Sequence, residues 1–230
     1  MRRPHLALIL ISISALGSLS LRSVAPITSP MANEDEMLRH AALVFTHAVD
    51  TPAAAIPAAV LMRASGIAVI PAATADGNRY RGTGVVSARG VRPDDWTPPA
   101  VITFEGAIPL NLETPAIDLV LVAQTRHGLD YLIQERFTSP AARGIVPGPL
   151  GHAMPVRMDA DLLAYMRFAT YFAGVTIDDW IVEEVKASNA VLYGRPYSTD
   201  DIVRGTGFFH VPPAGRLWRE ALADYFRRMS

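Results

Sequence analysis

Arginines alternate along one segment of this chain, and guanidinium groups can hold phosphate oxygens through paired hydrogen bonds. Residues 79–89 read RYRGTGVVSAR. If this segment is a continuous strand, its three arginines lie on one face, opposite small and apolar residues. The longer stretch 63–93 carries five arginines against one acid, Asp76. The predicted binding residues are Arg63, Arg79, Arg81, Arg89 and Arg92.

This arginine-rich strand favours an anionic phospholipid or membrane surface as the partner. A basic side chain near an anionic membrane contributes ~1 kcal/mol. Screening limits the effect of distant charges to about 8–10 Å, so a local patch can act independently of the net charge. The alternative is that these arginines form ordinary ion pairs with acids elsewhere in the chain.

Motifs for other chemistry do not accompany this strand. The chain has no cysteine, which excludes disulfides, zinc-thiolate sites and cysteine nucleophiles. It contains no G-x-S-x-G elbow, H-E-x-x-H pair or phosphate-binding P-loop. His40 and His47 could share a helix face, but a surface pair is the simpler interpretation. We therefore predict a protein that is not an enzyme and has no metal or cofactor.

Composition and charge narrow the class of protein further. Half of the residues are apolar, and 21 basic residues stand against 22 acidic ones. This balance does not favour nucleic acid as a partner, and the apolar content is too high for a disordered chain. The length of 230 residues suits one domain with a short appendage.

The N-terminal segment has the pattern of a secretory signal. Arg2 and Arg3 precede the apolar run LALILISISAL, and small residues follow. We predict a signal peptide at 1–25, a linker at 26–32 and an exported protein, periplasmic or extracellular. Cleavage after Ala25 would leave 18 basic and 22 acidic residues. An uncleaved membrane anchor is the alternative.

The remaining residues, 33–230, predict a single α+β domain. A helix begins near Asn33 and ends near Asp50, because apolar residues there repeat at helical spacing. Strands are predicted over 66–71, 79–89, 100–104, 108–112, 118–123 and 153–158, and shorter helices over 128–137, 186–193 and 200–203. An amphipathic helix with basic and aromatic residues closes the chain, docked on the core or lying at a membrane interface. We expect a mostly antiparallel sheet, strongly twisted or barrel-like.

The order and spacing of several short pieces resemble the SYLF domain family, over roughly residues 37–205. Asp179 departs from the pattern, because it stands where the family often has glycine. The pieces that carry the resemblance are Ile56-Pro57, LMRASGIAVIP at 61–71, GTGVV at 82–86, Arg89, Trp96, Pro98, DLVLV at 118–122, GPLG at 148–151, YFAGV at 171–175, Asn189 and LYG at 192–194.

The resemblance implies a compact α+β domain that binds phospholipid without catalytic residues. Some members of the family bind actin, a partner that an exported chain would not meet. A cell-envelope scaffold that binds another protein, without lipid specificity, is the alternative function.

Overall fold

The computed structural model describes residues 30–50, 56–110, 114–138, 145–147, 160–168, 171–206 and 210–229. The predicted signal peptide and the predicted strand at 153–158 lie outside these residues. Residues 26–29 of the predicted linker also lie outside them.

The described chain forms six helices and nine strands. The helices are α1 (Pro30–Asp50), α2 (Ala58–Met62), α3 (Arg126–Ile133), α4 (Lys186–Tyr193), α5 (Thr199–Arg204) and α6 (Pro213–Met229). The strands are β1 (Gly66–Asp76), β2 (Arg79–Ala88), β3 (Ala100–Ala107), β4 (Ala116–Ala123), β5 (Arg136–Thr138), β6 (Val146–Pro147), β7 (Leu162–Phe168), β8 (Tyr171–Gly174) and β9 (Asp178–Glu184). Within these residues, no helix is long and apolar enough to cross a membrane.

The strands form one sheet in the order β5-β9-β3-β2-β1-β4-β7-β6, with β8 paired to β7. Every pairing is antiparallel except that of β6 with β7. The sheet is open, although a single bridge between Ile145 and Ile177 links the chain before β6 to the chain before β9. The prediction of one mostly antiparallel α+β domain is therefore confirmed, without closure into a barrel.

Several predicted boundaries differ from the structure. α1 begins at Pro30, before Asn33, because the fixed φ of proline suits a first helical turn. No strand is present at 108–110, the described part of the predicted strand at 108–112, since Pro109 cannot donate to a ladder. The predicted helix at 128–137 ends at Ile133, and Phe137 lies in β5 instead.

The sheet separates two apolar cores. One face packs against α1 and α6, and Phe45 of α1 meets Trp218 of α6 with ring centroids 6.1 Å apart. The opposite face packs against α3 and α5 and buries Tyr80, Phe104 and other side chains. The amphipathic C-terminal helix is thus docked on its own core, one of the two arrangements that its sequence allowed.

A bulge in β1 accounts for one residue in each of two pieces that resemble the SYLF family, Asp118 in DLVLV and Gly84 in GTGVV. Ala72 has a φ of 50°, and the pairing of β1 shifts register on both sides there. Asp118, only 3% exposed, accepts the Ala72 N–H at 2.8 Å and pairs with Arg167 at 2.7 Å. Across the strand, a Cβ on Gly84 would lie 2.2 Å from the Val69 carbonyl oxygen. Close backbone approach therefore requires glycine at 84.

Asp179 has a φ of 44° at the start of β9. This left-handed conformation favours glycine, with Asp and Asn the usual substitutes. The residue that departs from the family pattern therefore occupies a backbone position of the kind that glycine fills best.

Candidate anion-binding surface

The structure divides the five predicted arginines into two groups. Arg79 and Arg81 lie at the start of β2, whereas Arg89 and Arg92 lie just beyond its end. The ten residues of β2 separate the groups by about 30 Å. Arg63 follows α2 and joins the second group, because α2 leads into β1 at the end of the sheet where β2 finishes. A flat surface lying along β2 could not contact both groups at once, because Val85 and Ser87 between them are buried under the helices.

Arg79 and Arg81 share one carboxylate. Arg79 Nε donates to Glu105 Oε1 at 2.7 Å, and Arg81 Nη2 lies 3.7 Å from Glu105 Oε2. Arg79 also donates to the Asp179 carbonyl at 3.1 Å. Arg81 remains 59% exposed. This group therefore carries two cations against one directly paired anion, and further acids, Asp76 and Asp178, lie in the neighbouring strand ends.

Arg89 is half-buried and built into the fold. Its Nη1 donates to the Met62 carbonyl at 2.7 Å, and its guanidinium lies 5.8 Å from the centroid of the Phe226 ring. Burial lowers the pKa of this guanidinium from its ordinary value, but arginine stays charged at neutral pH. Its contacts tie α2, β2 and α6 together.

Arg63 and Arg92 are exposed on either side of Arg89. Arg63 is the C-cap residue of α2, directly after Met62. Arg92 belongs to the loop 89–95, in which Gly90 N–H donates to the Asp95 carbonyl at 2.7 Å and Asp95 N–H to the Arg92 carbonyl at 3.1 Å. These hydrogen bonds fix the loop and hold Arg92 on the surface.

Two further arginines, Arg126 and Arg204, lie at this end of the sheet and were not predicted from the sequence. β4 ends opposite the start of β1, so α3 begins beside the end of β2. Arg126 is the first residue of α3, and Arg204 of α5 pairs with Asp130 of α3 at 3.0 Å. Neither arginine belongs to an alternating pattern, so only the topology brings them to the others. We call the end with Arg63, Arg89, Arg92, Arg126 and Arg204 the basic end.

A groove of about 490 Å³ opens at the basic end. Its polar lining includes the hydroxyl-bearing residues Ser65 and Thr97. Its charged lining consists of Arg89, Arg126, Arg204 and Asp130. Three cations therefore face one anion in this groove.

Arg204 is held in place by two carboxylates. Its Nε donates to Asp200 at 2.6 Å, and its Nη2 donates to Asp130 at 3.0 Å. These hydrogen bonds raise the pKa of the Arg204 guanidinium above its ordinary value, with the bond to Asp200 as the largest cause. Arg126, in contrast, makes no hydrogen bond or ion pair with any residue that the structure describes.

A cluster of polar side chains around α3 is the nearest approach to a catalytic arrangement. His127 Nδ1 lies 3.2 Å from Asp161 Oδ2, and the Tyr131 hydroxyl lies 3.0 Å from His127 Nε2. Thr125 donates to Asp161 at 2.6 Å and accepts the Gly128 N–H at 2.9 Å, so it caps α3. The carboxylate and hydroxyl are thus engaged in closing the helix end. Among the described residues, no three His, Asp or Glu side chains form a group that could hold a metal ion.

Fold and surface together define an α+β domain with an arginine-rich sheet end. Residues 114–225 match the family model described as Ysc84: Las17-binding protein actin regulator. This match covers just under half of the chain, and it confirms the resemblance to the SYLF family that was predicted from the sequence. No curated protein matches the chain. The five predicted arginines precede the matched segment, whereas Arg126 and Arg204 lie within it.

Proposed function

We propose that this protein binds anionic phospholipid, with its basic end against the membrane surface, and does not transform the lipid. The observation that carries the proposal is the gathering of Arg63, Arg89, Arg92, Arg126 and Arg204 at one end of the sheet. The SYLF family is known for lipid binding, which supports the same assignment.

The arrangement of charges favours this end over the other. Arg63 and Arg92 are exposed, and Arg89 donates to the Met62 carbonyl oxygen. Arg79 and Arg81 share Glu105, which reduces their net attraction for another anion. All five predicted arginines remain candidates, and we expect the larger contribution from Arg63 and Arg92.

The location of the protein belongs to the proposal as well. A secretory signal at 1–25 would deliver the domain to the periplasm or the outside of the cell. Its lipid partner there would be an anionic phospholipid of the cell envelope. Mass spectrometry of the exported protein would test whether the segment is removed.

Vesicle sedimentation tests the binding. We expect the protein to pellet with phosphatidylglycerol-containing vesicles, and added salt to release it because the attraction is electrostatic. Replacing both Arg63 and Arg92 by Gln should lower affinity about 30-fold, from ~1 kcal/mol for each lost charge. Replacing both Arg79 and Arg81 by Gln should lower it less than about fivefold. Failure of the unaltered protein to pellet with any vesicle would refute the proposal.

A protein partner is the second candidate function. The description of the matched family names a Las17-binding actin regulator, so its members include protein-binding domains. Capture of one defined envelope protein by the purified domain, without affinity for vesicles, would favour this function over lipid binding.

A further inference from the structure

We infer that the groove at the basic end holds the phosphate of a phospholipid head group, while Val91 on the adjoining loop enters the apolar part of the membrane. The inference rests on the proposed function and gives it a specific site. It concerns Arg126 and Val91, which belong neither to the predicted arginines nor to the short pieces that carry the family resemblance.

The groove has an excess of positive charge that a groove elsewhere on the sheet lacks. At the basic end, Arg89, Arg126 and Arg204 face Asp130. In the groove over the first half of β2, the charged residues balance, with two arginines against two glutamates: Arg81, Arg136, Glu105 and Glu183. An anion therefore gains more at the basic end, because Arg126 pairs with no described carboxylate and Arg89 donates to a carbonyl. In the other groove, Arg81 and Arg136 each pair with a glutamate.

Arg126 is available to a ligand because no described residue engages its guanidinium. Arg204 is oriented by Asp130 and Asp200, and a phosphate in the groove would complete a set of anions around it. Hydroxyl donors are also at hand, since Ser65 and Thr97 line the groove. The Thr97 oxygen accepts the Ala88 N–H at 2.9 Å, which leaves its own proton free to donate.

Val91 presents an apolar side chain to water beside this groove. It is fully exposed and follows Gly90, which lines the groove. The hydrogen bonds of loop 89–95, together with the Arg89–Trp96 bridge, hold Val91 outward. Met62 is a second exposed apolar residue, and its carbonyl accepts Arg89 Nη1 at 2.7 Å, so it adjoins the same loop.

Apolar tips next to cations match the chemistry of a phospholipid surface. Basic residues meet the phosphates, and an apolar side chain enters the boundary between head groups and acyl chains. A soluble phosphate ester would fill the groove but would leave Val91 and Met62 in water. The combination therefore identifies a membrane lipid, rather than a free phosphate ester, as the ligand.

Three single substitutions in the full-length protein test the site. Arg126→Gln removes the unpaired cation, Val91→Ser removes the apolar tip without a change of charge, and Arg39→Gln removes an exposed cation on α1 as the matched control. Binding is measured on phosphatidylcholine vesicles with and without phosphatidylglycerol, at several salt concentrations. Thermal melting of each variant checks the fold.

We expect Arg126→Gln to lower affinity about fivefold and to weaken the salt dependence. Val91→Ser should lower affinity about tenfold and leave the salt dependence unchanged, because the lost contact is apolar. Arg39→Gln should bind within about twofold of the unaltered protein. All three melting temperatures should match that of the unaltered protein, since these side chains are exposed.

Each negative result would contradict a different part of the proposal. If the unaltered protein binds no vesicle, the proposed function itself falls. If it binds, but Arg126→Gln and Val91→Ser both behave like Arg39→Gln, the groove is not the site while lipid binding stands. If glycerol 3-phosphate binds as tightly as vesicles do and Val91→Ser has no effect, the ligand is a soluble phosphate ester and the lipid assignment is overturned.

Discussion

One face of β2 meets two different environments along its length. Arg79, Arg81 and Thr83 in its first half lie outside the buried core, whereas Val85 and Ser87 in its second half are buried beneath α1 and α6. The alternation of side chains is the same in both halves. The helix layer covers only the second half, and this partial cover decides which polar side chains can reach a ligand and which must find a partner inside the protein.

Gly84 lies where the two halves of β2 meet. We expect its substitution to destabilise the protein more than any of the changes described below. A Cβ there would lie 2.2 Å from the Val69 carbonyl oxygen and 2.8 Å from Ile70 Cα, both backbone atoms that cannot rotate away. We expect Gly84→Ala to lower the free energy of unfolding by about 3 kcal/mol.

Denaturant unfolding would measure the effect of Gly84→Ala. Gly77→Ala is the control, because its φ of 63° strains an L-residue but no atom lies near the added Cβ. It should cost about 1 kcal/mol. Equal losses for the two variants would show that close packing at the bulge is not what requires glycine at 84.

Ser87→Ala should have the next largest effect. Ser87 is buried and its oxygen accepts the Trp218 Nε1–H at 2.9 Å. Alanine would leave this indole N–H buried without a partner, at a cost of about 2 kcal/mol. A denaturant midpoint that stays unchanged would mean that the indole finds another acceptor.

Tyr165→Phe tests the face of the sheet that packs against α1 and α6. It removes a buried hydroxyl that has no partner among the described residues. We expect the free energy of unfolding to rise by about 1 kcal/mol at neutral pH. Burial raises the pKa of the Tyr165 hydroxyl above its ordinary value of 10.0.

The same substitution should change stability at high pH. Ionisation favours the unfolded chain, so the contribution of Tyr165 is constant below about pH 10 and declines as the pH rises further. Between pH 8 and 11, the free energy of unfolding should therefore fall less steeply with pH for the phenylalanine variant than for the unaltered protein. Parallel curves for the two proteins would contradict the assignment to Tyr165.

Thr83→Val should have the smallest effect and serves as the partner of Ser87→Ala. Both changes remove a hydroxyl from the same face of β2, but Thr83 is exposed and Ser87 is buried. We expect the free energy of unfolding to change by less than about 0.5 kcal/mol. A loss comparable to that of Ser87→Ala would show that the two halves of β2 do not differ as described.

Local patterns were enough to predict many of the elements. The helix at 186–193 has the predicted bounds, and the strands near Gly66, Arg79 and Asp118 are present because apolar and β-branched residues cluster there between turn residues. No element was predicted from the sequence over residues 162–168, which form β7. Residues 162–166 are buried, with side chains in the cores on both faces of the sheet, so burial removed the alternation that would have marked a strand.

The candidate site was only half predictable. Alternation placed Arg79 and Arg81 on one face, but it could not show that Glu105 of β3 would lie beside them. Arg126 and Arg204 are separated by 78 positions in the chain and meet because α3 and α5 pack together below the same end of the sheet. No sequence pattern around either residue indicates that the two lie at the same groove.

By itself, the sequence determined that this is an α+β chain with a SYLF-type pattern and an arginine-rich strand, because periodicity, glycine placement and turn chemistry are properties of neighbouring residues. The tertiary structure alone decided which arginines share carboxylates and which gather around a groove. Electrostatic attraction depends on distance in space, and strand order and helix packing set that distance independently of separation along the chain.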